Sequence, residues 1–328
     1  MRNGGGLHTT SGRWQLGLAL SLGAVAIWGL LPIALSGLLK QMDPVTITWY
    51  RFVVAGLVLL IPVARARGLA ALAPGVAGAR RTLALLSVAS VALVANYILY
   101  VLSLRFLTSS GAQVLIQLAP TFLLVGGLIV FRERLSRVQL LGIGVLAVGF
   151  AMFFHNDLPG LVSGSGDGRF LAGALLIVAA AITWAAYALA QKQLLSVMSS
   201  PSIMVVIYVV SSVLLLPLAR PAAALTLDSL GVGLLVFLAF NTLAAYGCFA
   251  EALEHLEASR VSIVLSLTPI VTIAAVTIGA RVVPMLVDSE SLDATSLLGA
   301  GLVVAGSMLG ALGRRPLAVH TGSPAARK

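Results

Sequence analysis

Charge is what this sequence has least of. Only 10% of its 328 residues are Asp, Glu, Lys or Arg, whereas a soluble chain carries roughly 25%. A surface so poor in charge does not hold a protein of this length in water. Hydrocarbon makes no such demand, so lipid is the expected solvent. Acidic residues are the scarcer kind, 11 against 21 basic ones, which leaves a net charge of +10. That excess does not announce nucleic acid. The basic residues lie in short connections between apolar runs, and the aromatic residues, 6% of the chain, are not interleaved with them as in single-strand binders. With one cysteine, Cys248, an internal disulfide is excluded. A phosphate loop is missing as well. The Gly-Ser stretch 163–168 has no strand before it and no Gly-Lys-Ser/Thr after it, and its composition suits a flexible linker. The four histidines, His8, His155, His255 and His320, lie outside the middle of any apolar run, and no acids cluster within one. Neither a metal site nor a cofactor is therefore expected, and an intramembrane enzyme is the weaker reading.

What the chain has is apolar runs; 59% of it is hydrophobic. A helix crosses the hydrocarbon with about 20 such residues. Runs of that kind fall at 16–39, 44–63, 82–104, 109–131, 138–155, 170–194, 202–219, 230–252, 259–280 and 295–312. The first is too long for a signal-peptide core and is read as a retained helix. Polar–apolar alternation is missing, which argues against a β-barrel. Counting alternate connections from a cytoplasmic N-terminus puts fifteen basic residues inside: Arg2, Arg13, Arg65, Arg67, Arg80, Arg81, Arg132, Arg134, Arg137, Lys192, Arg260, Arg314, Arg315, Arg327 and Lys328. Five fall outside, Lys40, Arg105, Arg169, Arg220 and Arg281, and Arg51 falls within the second run. That imbalance places both termini in the cytoplasm.

The halves resemble each other. At a shift of 149 residues Tyr97 meets Tyr246, Leu104 meets Leu253, Ser110 meets Ser259 and Pro120 meets Pro269. At a shift of 157, Glu133 meets Glu290, Gly142 meets Gly299, Gly144 meets Gly301 and Gly149 meets Gly306. The second half thus holds eight extra residues near 281–289, and Trp28 meets Trp184 at a shift of 156. Each half has five helices. Five is odd, so the halves enter the membrane from opposite sides. The expected fold is all-α and integral to the membrane, ten transmembrane helices in two inverted five-helix repeats. The first repeat is placed at 1–160 and the second at 168–314, with a cytoplasmic tail at 315–328. Inverted repeats are the architecture of secondary transporters, which hold substrate near the midplane between them.

The ordered set Trp28-Gly29-Leu-Leu-Pro32, Tyr50-Arg51-Phe52, Gln117-Leu-Ala-Pro120, Glu133 and Leu141-Gly142-Ile-Gly144 resembles the EamA-type branch of the drug/metabolite transporter superfamily. Leu267-Thr-Pro269, Glu290 and Leu298-Gly299-Ala-Gly301 repeat the pattern. The resemblance implies a multi-pass protein of the cell inner membrane that moves small organic metabolites, often outward, by proton coupling or exchange. It implies a cavity enclosed by helices 1 to 4 and 6 to 9, with helices 5 and 10 as braces.

Candidate residues follow from polarity at depth. Trp28 and Trp184 occupy matched mid-helix positions, where tryptophan either lines a cavity or packs. Asn96, Tyr97, Tyr100, Gln113, Gln117, Tyr187, Asn241, Tyr246 and Ser266 carry polar groups in hydrocarbon. They bond either to neighbouring helices or to substrate. Pro120 and Pro269, read as mid-helix, each free a carbonyl one turn earlier, at Ile116 and Leu265, and are candidate hinges. Arg51 either snorkels to the surface or attracts an anionic group, and Glu251 is either a proton-coupling acid or an interfacial partner of Arg260 or His255. Together these readings give a secondary active exporter of small organic metabolites such as amino acids or their derivatives. It would work by alternating access, as a monomer or homodimer, with protons as a candidate coupling partner and no nucleic acid. A passive channel or facilitator is the first rival.

Overall fold

The computed structural model describes residues 13–68, 72, 78–131, 135–164 and 168–312. The expected tail at 315–328 and Glu133 lie outside the described residues. All regular structure among the described residues is helical: α1 (Trp14–Leu38), α2 (Pro44–Arg67), α3 (Ala79–Ser103), α4 (Ser109–Leu115), α5 (Leu118–Phe131), α6 (Arg137–Phe153), α7 (Leu158–Ser163), α8 (Arg169–Leu194), α9 (Ser200–Leu215), α10 (Ser229–His255), α11 (Ala258–Leu265), α12 (Thr268–Val282) and α13 (Ala294–Leu312). Among the described residues eight helical stretches are long and apolar enough to cross a membrane, counting α4 with α5 and α11 with α12. The helices α6 and α9, at 17 and 16 residues, are apolar but shorter. The run expected to span 202–219 stops at Leu215, where Pro217 has no N–H to continue the ladder.

Short polar residues start several of the helices. Asp43 accepts from the N–H groups of Val45 and Thr46, each at 3.0 Å, with Pro44 in the first helical position, where its missing donor costs nothing. Ser136 and Gln139 form a reciprocal capping box on α6. Asp228 accepts from Gly231 N–H at 2.6 Å, and Asp293 from Ser296 N–H at 2.8 Å. These N–H groups hold both carboxyls below the usual carboxylate range.

Two expected helices are broken. The 109–131 run divides at Ile116 and Gln117, and the 259–280 run at Ser266 and Leu267. Pro120 and Pro269 therefore lie not in mid-helix but in the first turns of α5 and α12, where backbone donors are orphaned in any case. Nor are the two carbonyls free. Ile116 O accepts from Ala119 N–H at 2.9 Å, and Leu265 O accepts from the Thr268 hydroxyl at 2.6 Å.

Burial is distributed as lipid dictates. Ile129 is 75% exposed and Leu298 64%, while Ser21, Thr46, Thr48 and Ser103 are wholly buried and hydrogen-bonded. Water would favour the reverse; hydrocarbon makes apolar side chains outside and paired polar groups inside the stable arrangement. The principal packed pairs are α6 with α13, α3 with α8, α1 with α10, α2 with α9, α5 with α8 and α1 with α12. The α6–α13 contact is backbone on backbone. A Cβ on Gly306 would lie 2.6 Å from Leu146 N, and one on Gly149 would lie 2.6 Å from Val303 N. At Gly144, Gly301 and Gly310, by contrast, a Cβ meets nothing within 4 Å.

The extra residues of the second half fold back over the ends of α1 and α4. Val287 packs with Ile33 and Val276, Lys40 pairs with Asp288 at 3.5 Å, and Glu290 accepts from Ser110 N–H at 3.2 Å. Burial pushes the Glu290 carboxyl above its ordinary range, and the N–H and hydroxyl groups of residues 108–110 oppose that shift. Glu290 thus ties the start of α4 to the segment before α13.

Candidate functional site

A cavity of about 460 Å³ lies among the helices. One wall is set by the paired breaks. The Gln117 side chain donates to Ser266 O at 3.3 Å, so the two interruptions, matched in the sequence repeat, meet. Gln117, Ser266 and Pro120 all line the cavity. Broken helices at membrane depth expose backbone, which is tolerated where it lines a cavity or packs against protein.

The second wall is aromatic. Trp28 lines the cavity and meets Tyr246 edge-on at 5.4 Å and Phe249 at 6.1 Å. Trp184 lines it from α8. From α3 come Asn96, Tyr97 and Tyr100, on one face because residues a turn apart stack along a helix. The Asn96 side chain donates to Ala180 O at 2.8 Å, which ties α3 to α8, and the Tyr100 hydroxyl donates to Gln113 Oε1 at 2.8 Å.

The third wall holds the charge. Arg51, from α2, lines the cavity and is 4% exposed. It does not snorkel. Its Nη2 donates to Thr242 Oγ1 at 3.3 Å, and its guanidinium carbon sits 4.4 Å from the Tyr97 ring centre. No hydrogen-bond acceptor for its Nε is found among the described residues.

Other expected residues lie elsewhere. Tyr187 is buried off the cavity lining and donates to Met204 Sδ at 3.2 Å. Asn241 donates to Ile27 O at 2.9 Å, tying α10 to α1. Pro269 is buried at the α12 start, off the cavity lining. Glu251 is also off it, its side chain 52% exposed and 3.4 Å from His255; Arg260 pairs instead with Glu257 at 3.9 Å. That placement does not link Glu251 to the cavity.

The lining also corrects the idea that the fifth and tenth helices only brace. Gly142, Ile143 and Leu146 of α6, and Gly306, Ser307, Gly310 and Ala311 of α13, contribute to it. Ser307, whose Oγ has no partner among the described residues, is a cavity group that the sequence pattern did not reveal. Its hydroxyl one position after a packing glycine was the available signal. Thr242, which orients Arg51, was not foreseen either, because threonine satisfies itself on its own helix often enough to give no signal.

A family model described as the EamA-like transporter family matches residues 15–154 and again residues 171–311. A protein named "Uncharacterized inner membrane transporter YhbE", from Escherichia coli (strain K12), is 34% identical over 300 residues, which are 92% of this chain and 92% of that one. A protein named "Uncharacterized transporter", from Haemophilus influenzae, is 32% identical over 92% of this chain and 96% of its own. One named "Probable amino-acid metabolite efflux pump", from Salmonella typhimurium, is 25% identical over 90% of this chain and 95% of its own. A crystal structure of a protein 17% identical matches with a TM-score of 0.54, covering 92% of this chain and 99% of that one. At that identity the likeness concerns the fold alone.

Proposed function

The chain belongs to the EamA-like transporter family, and from that premise we propose that this multi-pass membrane transporter is a secondary active exporter of small organic metabolites, amino acids or their derivatives among them. The observation that carries the proposal is the cavity: it is enclosed by elements of both halves, is lined by Trp28 and Trp184 from matched positions, and is flanked by matched helix breaks that meet at Gln117 and Ser266. Alternating access needs two similar bodies that rock about a shared site. The packing supports such bodies. When the halves are exchanged, α3–α8 becomes α10–α1 and α5–α8 becomes α12–α1, while α2–α9 and α6–α13 map onto themselves; all six pairs are packed. Eight long and two shorter apolar helices support the ten-crossing, inverted arrangement with repeats at 1–160 and 168–314. The substrate class rests on the cavity's mixture of rings, amides and one cation, and on the name of the Salmonella relative. Pro120 and Pro269, each following a break, are proposed as the hinges.

Counterflow in proteoliposomes tests the mechanism. Vesicles loaded with an unlabelled neutral amino acid are expected to accumulate the labelled compound transiently, with saturable initial rates. Flux linear in concentration and indifferent to internal substrate would make the protein a pore. Orientation is tested with reporter fusions. Those after Arg67, Arg137 and Arg315 are expected to read as cytoplasmic, and those after Asp43 and Gly166 as external. A cytoplasmic signal at Gly166 would remove the inverted repeat.

A further inference from the structure

Arg51 is the one charged residue on the cavity lining among the described residues, and it is 4% exposed. A guanidinium stays protonated and offers five N–H donors. Here one donor goes to Thr242 Oγ1, the π face is met by Tyr97, and Nε is left without an acceptor. No carboxylate among the described residues pairs with it. Burying a cation in this way is costly unless an anion completes it. The protein supplies a neutral hydroxyl and a ring, both of which orient the group, and leaves the anion's place to something that enters the cavity.

We infer that Arg51 is the receptor for a carboxylate of the substrate, and that the molecules bound are organic monocarboxylates with an apolar body. A single guanidinium balances one negative charge. A phosphate dianion would bring a second, uncompensated charge beside a single buried guanidinium, so carboxylate is the better match. The apolar body has its counterpart in Leu31, Leu124, Ile143, Leu146, Leu265 and Phe249. No acid lies on the lining among the described residues, so an amino group, where the substrate has one, meets the ring faces of Trp28 and Trp184 and neutral acceptors. The inference takes the cavity as the substrate site from the transport reading, yet its chemistry is tested by binding alone.

The probes are isocaproate and hydrocinnamate, each compared with its primary amide, which has nearly the same shape and no charge. Binding to the purified full chain in lipid nanodiscs is read from tryptophan fluorescence and thermal shift. The native protein is expected to bind each carboxylate roughly tenfold to a hundredfold more tightly than its amide, as a charge-assisted bond allows. Arg51→Gln is expected to remove that preference, and Arg51→Lys to keep part of it. Equal binding of acid and amide by the native chain, or binding of neither, overturns the inference, and so does a preference that survives Arg51→Gln. Should the variants not fold, the native comparison decides by itself. A carboxylate preference without saturable counterflow would refute the transport reading and leave the Arg51 site standing.

Discussion

Replacing Gly306 by valine is expected to abolish accumulation of folded protein in the membrane. On the backbone path of α13, a Cβ at this position falls 2.6 Å from Leu146 N and 2.7 Å from Gly142 O. Both are main-chain atoms of α6, so no rotamer change relieves the clash. The helices must separate, and separation exposes the packed seam on which a membrane helix pair depends, since lipid offers no hydrophobic drive to close it again. Overpacking a tight core costs about 1–3 kcal/mol for modest additions, and here the addition is branched and meets backbone. Gly149→Val is expected to behave alike, because its Cβ would meet Val303 N at 2.6 Å. The control is Gly144→Ala, where a Cβ meets nothing within 4 Å. That change is expected to be neutral or stabilising, as alanine is worth roughly 0.5–1 kcal/mol over glycine within a helix. Membrane yield and monodispersity on size-exclusion chromatography are the measurements. Normal folding of Gly306→Val would mean that α6 and α13 do not pack through these glycines.

Trp28→Ala and Trp184→Ala are each expected to lower counterflow roughly tenfold or more, the equivalent of about 1.4 kcal/mol of lost substrate interaction, while the protein reaches the membrane in normal amount. Both rings line the cavity and neither is fully buried, so truncation removes ligand surface before it removes core. Trp28 also holds Tyr246 at 5.4 Å, and an edge-to-face pair contributes about 0.5–1.5 kcal/mol beyond its area. Trp28→Phe, which keeps an edge partner for Tyr246, is therefore expected to recover most of the flux. Normal counterflow in both alanine variants would reduce the two residues to packing, and would leave Gln117, Tyr100 and Arg51 as the groups to test next.

Much of the cavity was legible. Trp28, Asn96, Tyr97, Tyr100, Gln113, Gln117, Trp184, Tyr246, Ser266 and Arg51 all line it. They could be found because a polar or large amphipathic side chain at membrane depth must turn inward, whatever the details of packing. Tyr187 and Asn241 satisfied the same rule by bonding to Met204 and to Ile27 O. Polarity at depth shows that a partner exists without showing which. Of the two readings open for Glu251, coupling acid or interfacial partner, its half-exposed side chain 3.4 Å from His255 fits the second.

The composition by itself determined the solvent, and the long apolar runs without polar–apolar alternation determined the helical class, because in hydrocarbon every backbone donor and acceptor must be satisfied within a helix or a closed barrel. The repeat by itself determined which positions correspond, since Gln117 and Ser266, or Gly149 and Gly306, are matched by counting along the chain. Only the tertiary structure decided what the matched positions do. Gln117 donates to Ser266 O across the molecule, but Gly149 and Gly306 each receive the backbone of the facing helix rather than each other. It also moved Pro120 and Pro269 from the middle of a helix to the start of one, and left Arg51 facing a cavity without a counter-ion among the described residues. The physical reason is one of range. Solvent choice and helix formation are local and follow from composition within about 20 residues. The partner of a buried guanidinium or of a glycine surface depends on how helices far apart in sequence are rotated against one another, and that is settled by packing alone.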